Sequence, residues 1–296
     1  MLKNKKNTGI LFASIAAALW AVSGISGQIL FIQFHFSAAW IVSTRMIIAG
    51  SLLLMIARIK NKDALIWPFK HKTDFISIMA FSLLGMYLVQ FTYFKTIELS
   101  NASFATIVQY IGPVFVIFYT TLKTKILPAK QTIYLILLAL FGVTLIASKG
   151  KLENLITSPM AFLWGIGSAI SLAFYSIQPR LLLEKHGSIS VVGWGMFLGG
   201  IAANLIHPIW KVDGLLTPAS VLQIFIVIVF GTACSFLIYL SSLNYISSAL
   251  ASVLTAFEPI LATIFSISIF HLRLSLSEFI GFICVLGAIL FLQKTL

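Results

Sequence analysis

The sequence predicts an all-α integral membrane protein with ten transmembrane helices in two inverted five-helix repeats, N- and C-termini cytoplasmic. Three observations predict it. Hydrophobic residues make up 59% of the chain and charged residues 9%, and the mean hydropathy is +1.03. A soluble chain of 296 residues cannot bury that much apolar surface, so lipid must be the solvent. The apolar residues gather into ten runs, each about 18–25 residues long and able to cross a bilayer. Finally, Gly85 to Pro113 aligns without a gap with Gly231 to Pro259.

The first run, 9–29, follows Lys3, Lys5 and Lys6. That pattern is shared with signal peptides, but its length and its place among ten runs favour an uncleaved helix. The second run, 38–58, carries Arg45, and the third, 75–95, carries Gln90 and Tyr93. The third ends at Lys95 and Glu98, which are expected to form an ion pair at the membrane interface. Run four, 102–122, is interrupted at Gly112-Pro113, and run five, 131–148, is centred on Gly142. A polar connector, Lys149 to Pro159, divides the chain into 1–150 and 155–296. Run six, 159–180, places Tyr175 where the first has Trp20, and run seven, 189–208, repeats Met46 and Gly50 as Met196 and Gly200. Run eight, 219–241, contains Gly231 and Tyr239. Run nine, 248–269, is broken at Pro259, and run ten, 277–294, has Gly287 where the fifth has Gly142. Continuous apolar runs favour helices, because barrel strands alternate polar and apolar residues. Small residues such as Ser23 and Gly27, or Gly195 and Gly199, are spaced for close helix packing.

Within the repeat, Gly85/Gly231, Tyr93/Tyr239, Ala105/Ala251 and Pro113/Pro259 are identical, and Thr106 meets Ser252. Orientation follows from the basic residues. Lys3, Lys5, Lys6, Arg58, Lys60, Lys62, Lys70, Lys72, Lys123, Lys125, Lys130, Arg180, Lys185 and Lys294 fall on the side of the N-terminus. Only Lys95, Lys149, Lys151, Lys211 and Arg273 fall opposite, which puts both termini in the cytoplasm. An odd number of helices per copy turns the second copy upside down, the arrangement of inverted-repeat membrane proteins.

The net charge of +12 does not imply nucleic acid, since the basic residues are scattered through loops where they meet lipid headgroups. Cys234 and Cys284 lie inside apolar runs, without metal-ligand spacing, and read as buried small hydrophobes. His35, His71 and His186 lie in connectors and His207 and His271 near run ends; none is spaced to join a metal or a nucleophile. No enzymatic activity, metal or cofactor is expected.

Ionisable residues at membrane depth carry the functional signal, because each costs several kcal/mol there unless paired, hydrated or neutralised. Glu258 immediately precedes Pro259, whose missing N–H frees a carbonyl about a turn earlier. It can bind a ligand ammonium, carry a proton, or cap the broken helix. Arg45 can meet a ligand carboxylate, pair with Glu258, or snorkel to the interface. Gln109 and Tyr110 occupy the matching place before Gly112 and Pro113. Gln90, Tyr93 and Tyr239 are candidates to face the same cavity, and Trp20 and Tyr175 supply rings for stacking or cation–π contact.

Ala17-Ala18-Leu19-Trp20-Ala21, Arg45, Gly112-Pro113-Val114-Phe115 and Glu258-Pro259-Ile260, set in a five-plus-five duplication, resemble the drug/metabolite transporter superfamily, in particular its EamA-type permeases. The resemblance covers essentially the whole chain. It implies two inverted bundles around a central cavity, alternating access, and coupling to an ion gradient or to exchange. One departure stands out. The family's Gly-Glu-Arg-like turn after the fourth and ninth helices is here Lys123-Thr-Lys125-Ile-Leu127 and His271-Leu-Arg273-Leu, so no role of that glutamate carries over. With no nucleotide-binding loop, a secondary carrier is expected. It would export a small amino-acid-like or amphiphilic metabolite across the plasma membrane, coupled to protons or exchange. Import of a cationic amine and a non-transporting sensor or scaffold are the alternatives. The expected partners are a small-molecule substrate and membrane lipid, not nucleic acid, while self-association into a homodimer stays open.

Overall fold

The computed structural model describes residues 2–125, 127–148, 159–247, 250–251, 254–255, 257–271 and 274–295. Among the described residues all regular structure is helical. The elements are α1 (Leu2–Phe34), α2 (Ala38–Lys60), α3 (Lys72–Leu99), α4 (Ala102–Gln109), α5 (Gly112–Thr124), α6 (Lys130–Ser148) and α7 (Pro159–Ile177). They continue with α8 (Arg180–His186), α9 (Ser188–Ile206), α10 (Pro218–Ser242), α11 (Phe257–Phe270) and α12 (Leu276–Thr295). Among the described residues seven spans are long and apolar enough to cross a membrane, with α4 and α5 together forming one of them, and three further apolar helices are shorter. The expected half boundary at 149–158 lies outside the described residues, as do Ser252 and Arg273.

Local chemistry sets the helix starts. Ser37 Oγ accepts the Trp40 N–H at the head of α2, and Asn101 Oδ1 accepts from Phe104 N at the head of α4. Thr217 and Ser220 form a reciprocal capping box at α10, with Pro218 in its first turn, where a missing N–H costs nothing. The two breaks expected from the prolines fall at equivalent places. Tyr110 and Ile111 form the turn between α4 and α5, and Thr255 forms a turn just before α11. The first helix is longer than its apolar run and starts at Leu2, because the basic residues before position 9 continue the same helix.

Helix packing follows a two-fold pattern. α2 packs on α9, α4 on α11 and α6 on α12, each on its own counterpart. α1 packs on α10 and α7 on α3, which are partners exchanged between the halves. α2 and α9 run antiparallel, as two close approaches show. A Cβ on Gly50 would fall 2.8 Å from Phe197 Cα, and one on Gly200 would fall 2.7 Å from Ile47 N. These contacts exchange under the repeat, so the two-fold axis crosses the α2–α9 pair perpendicular to both helices. Such glycines let backbones touch where lipid offers no hydrophobic drive for association.

Both members of the repeat also contain a feature that hydropathy does not reveal. α3 is π-helical over Phe81–Tyr87 and α10 over Ile226–Cys234, around the aligned Gly85 and Gly231. A π-helical turn widens the backbone and re-aims its side chains and carbonyls.

The two ends of the bundle are tied by polar contacts across the halves. At one end Trp67 stacks on His186 at 3.9 Å and donates to Ser190 Oγ at 2.7 Å, while Asp74 meets His186 and Lys185 at 3.0 and 3.2 Å. At the other, Trp40 Nε1 donates to Ile209 O at 2.9 Å, and Ser37 pairs with Asp213. The expected Lys95–Glu98 ion pair is present at that end, and Glu98 also accepts the Ala38 N–H at 3.1 Å.

Candidate functional site

Between the packed pairs lies a cavity of about 30 Å³. Its walls come from seven elements. α1 contributes Trp20 and Ser23; α2, Arg45; α3, Val89, Gln90, Tyr93 and Phe94; α4, Gln109; and α11, Glu258. Leu172 of α7 and Phe236 of α10 complete it. This conformation has room for about two waters, so an amino-acid-sized occupant requires the walls to part.

The sequence singled out six of these residues: Trp20, Arg45, Gln90, Tyr93, Gln109 and Glu258. Tyr239 and Tyr175 stand one layer behind, stacked on each other at 5.6 Å, with Trp20 and Phe236 against them at 5.1 and 5.5 Å. Tyr239 is tied to Ser176 at 2.9 Å. Tyr110 is buried in a second apolar cluster with Ile107, Ile111 and Ile117. Gly112 starts α5 against Leu172 of α7, and Pro113 and Pro259 follow the two breaks. Ser23, Val89, Phe94, Leu172 and Phe236 were missed. A serine in an apolar run reads as packing, and the other four look like any lipid-facing residue.

Arg45 neither snorkels nor pairs with Glu258. It is 2% exposed, and its Nε donates to Thr232 Oγ1 at 2.6 Å and its Nη2 to Gly231 O at 2.8 Å. Both acceptors belong to the π-helical stretch of α10, so the widened turn holds the guanidinium. Its Cζ sits 4.4 Å from the centre of the Phe94 ring, a cation–π contact. On its other side Arg45 faces a shallow depression lined by Trp40, Thr44 and Ile228.

Glu258 is 4% exposed and opens α11, its N–H donating to Thr255 O at 2.9 Å. Tyr93 Oη donates to Glu258 Oε1 at 3.0 Å and lies 2.9 Å from Thr106 Oγ1, which in turn donates to Ala102 O at 2.7 Å. Gln109 donates from Nε2 to Ser168 Oγ. The remaining polar lining is unpartnered. Trp20 Nε1, Ser23 Oγ, Arg45 Nη1 and both amide atoms of Gln90 are buried without a hydrogen-bonding partner. Buried polar groups are nearly always satisfied, and this cluster has donors and acceptors free to hydrogen-bond an occupant of the cavity. Among the described residues no group of His, Cys, Asp and Glu is arranged to hold a metal ion.

The profile of the EamA-like transporter family matches residues 7–148 and 159–293, nearly the whole chain in two segments. This chain belongs to the EamA-like transporter family. A relative described as an uncharacterized inner membrane transporter, YicL of Salmonella typhimurium, is 30% identical over 288 residues, 96% of this chain and 95% of its own. A crystal structure 14% identical in sequence superposes with a TM-score of 0.70, covering 98% of this chain and 100% of its own. At that identity the likeness speaks for the fold alone. The two matched segments are separated by residues 149–158.

Proposed function

We propose that the protein is a secondary-active carrier that exports a small amino-acid-like or amphiphilic metabolite across the plasma membrane, coupled to protons or exchange. In this reading ten helices span the bilayer with both termini cytoplasmic, and residues 1–150 and 155–296 form two inverted repeats that rock about the cavity. The carrying observation is the cavity itself, at the meeting of the halves and lined by unpartnered donors and acceptors beside Arg45 and Glu258. Antiparallel α2 and α9 support the inversion, since a two-fold axis across them presents equivalent surfaces to the two sides of the membrane.

A sensor or scaffold would be better served by a wholly apolar core, and Arg45, Gln90 and Glu258 in the cavity wall weigh against that reading. Import of a cationic amine draws support from Glu258 beside Trp20, Phe94 and Phe236, whose rings suit a cation. Arg45 in the same cavity weighs against a purely cationic substrate, because its charge is repelled at short range.

Proteoliposomes loaded with labelled amino acids or amines, with and without a pH gradient, test the proposal. Flux should respond to the gradient, and Glu258→Gln should abolish that response. Flux in Glu258→Gln that follows the gradient as in the wild type would remove Glu258 from the coupling.

A further inference from the structure

Three short oxygen–oxygen contacts run in a line from the cavity into α4: Glu258 to Tyr93 at 3.0 Å, Tyr93 to Thr106 at 2.9 Å, and Thr106 to the Ala102 carbonyl at 2.7 Å. Each hydrogen bond needs a proton between its oxygens. Tyr93 and Thr106 bring one each and the carbonyl brings none. All three contacts are hydrogen bonds together only when Glu258 supplies the third proton. With Glu258 ionised, two protons serve the line: Tyr93 donates to the carboxylate, and Thr106 donates either to Tyr93 or to Ala102.

Resting on the carrier reading and deepening it, we infer that Glu258 is the proton-carrying group of the cavity, and that Tyr93 and Thr106 are positioning residues forming a two-hydroxyl relay that accommodates both of its protonation states. A proton from cavity water bonds to the carboxylate. The new carboxyl O–H donates to Tyr93, whose hydroxyl turns to Thr106, whose hydroxyl turns to the Ala102 carbonyl. On release the proton returns to cavity water and both hydroxyls turn back. Tyr93 and Thr106 keep their own protons throughout.

Placement favours this use. Glu258 lies at the break before α11, and Thr106 lies on α4, packed against α11. The relay therefore joins the two broken helices, one from each half, and proton binding is felt at their contact. Gly24 of α1 makes room for the Tyr93 hydroxyl, since a Cβ there would lie 2.7 Å from it. The charged and titratable groups around Glu258 are Tyr93 from α3 and Arg45 from α2, both on the cavity wall. Arg45 is engaged by Thr232 and Gly231 and makes no ion pair with Glu258, so the relay governs the carboxyl's hydrogen bonding.

The two hydroxyl variants should act in opposite directions. Tyr93→Phe deprives the carboxylate of its donor while the neutral acid still faces cavity water. The ratio of protonated to ionised Glu258 at fixed pH should rise by about 10- to 100-fold. Thr106→Val removes two bonds from the protonated arrangement and one from the ionised, and the ratio should fall by about 2- to 10-fold. Thr106→Ser should restore the wild-type ratio.

Infrared difference spectroscopy of the full chain in lipid, across about pH 5 to 9, reads the carboxyl band directly, and Glu258→Gln assigns it. Thr106→Ala repeats the threonine test with a smaller side chain. Shifts of opposite sign with serine rescue support the relay. Shifts of the same sign, or no Glu258-dependent band in that range, overturn it. Because this readout needs no substrate, it stands apart from the carrier reading, which fails instead if proteoliposomes show no flux while the band titrates as expected.

Discussion

Replacing the glycines at the α2–α9 contact tests the packing that holds the two halves together. A Cβ at Gly200 would meet Ile47 N at 2.7 Å and Ile47 Cα at 3.0 Å, and one at Gly50 would meet Phe197 Cα at 2.8 Å. These neighbours are backbone atoms inside helices and cannot swing aside, so the helices must separate by several tenths of an ångström. Overpacking of this kind costs about 1–3 kcal/mol. Alanine recovers at most about 1 kcal/mol over glycine in a helix interior. Overpacking wins, and each single variant, Gly200→Ala or Gly50→Ala, should lose about 1–2 kcal/mol. The two sites lie on one contact, so parting the helices for one methyl makes room for the second. The double variant should therefore lose less than the sum, with a coupling of about 0.5–1 kcal/mol. Denaturant titration in detergent micelles, followed by tryptophan fluorescence, measures all four corners of the cycle. Single variants as stable as the wild type, or strictly additive losses, would refute this reading of the interface.

Arg45→Met should leave Gly231 O without its donor and remove the cation from the cavity. The expected loss is about 1–3 kcal/mol of stability, together with transport more than about tenfold below wild type, checked by flux in proteoliposomes at matched protein loading. Trp67→Ala removes the ring stacked on His186 and the donor to Ser190. It should cost about 3–5 kcal/mol and open that end to proteolysis, measured by cleavage rate within the 61–71 connector. Tyr239→Phe removes only the bond to Ser176, one layer behind the cavity. Thermal unfolding should show a loss of about 0.5–1.5 kcal/mol, with substrate preference and pH response unchanged in flux assays. An altered preference would bring Tyr239 into the site.

The sequence by itself determined the features that are local or periodic. Apolar runs of bilayer length became helices, because a backbone in lipid must satisfy its own hydrogen bonds. Gly112-Pro113 and Pro259 marked the two breaks, since proline lacks the N–H that an uninterrupted helix uses. Glu258 and Arg45 stood out because charge is rare at membrane depth. Tertiary structure decided which face each helix turns inward. In a membrane the lipid-facing and core-facing sides are both apolar, so hydropathy does not separate Phe94 and Phe236, which line the cavity, from Phe118 and Phe141, which are exposed. For the same reason Tyr239 and Tyr175 fall behind the wall that Tyr93 joins. The fate of Arg45 was decided by a residue pair 186 and 187 positions away along the chain, Gly231 and Thr232, presented by a π-helical turn. The Tyr93–Thr106–Glu258 line likewise exists only once α3, α4 and α11 converge, because three protons among four oxygens are a property of distances and not of spacing in the sequence.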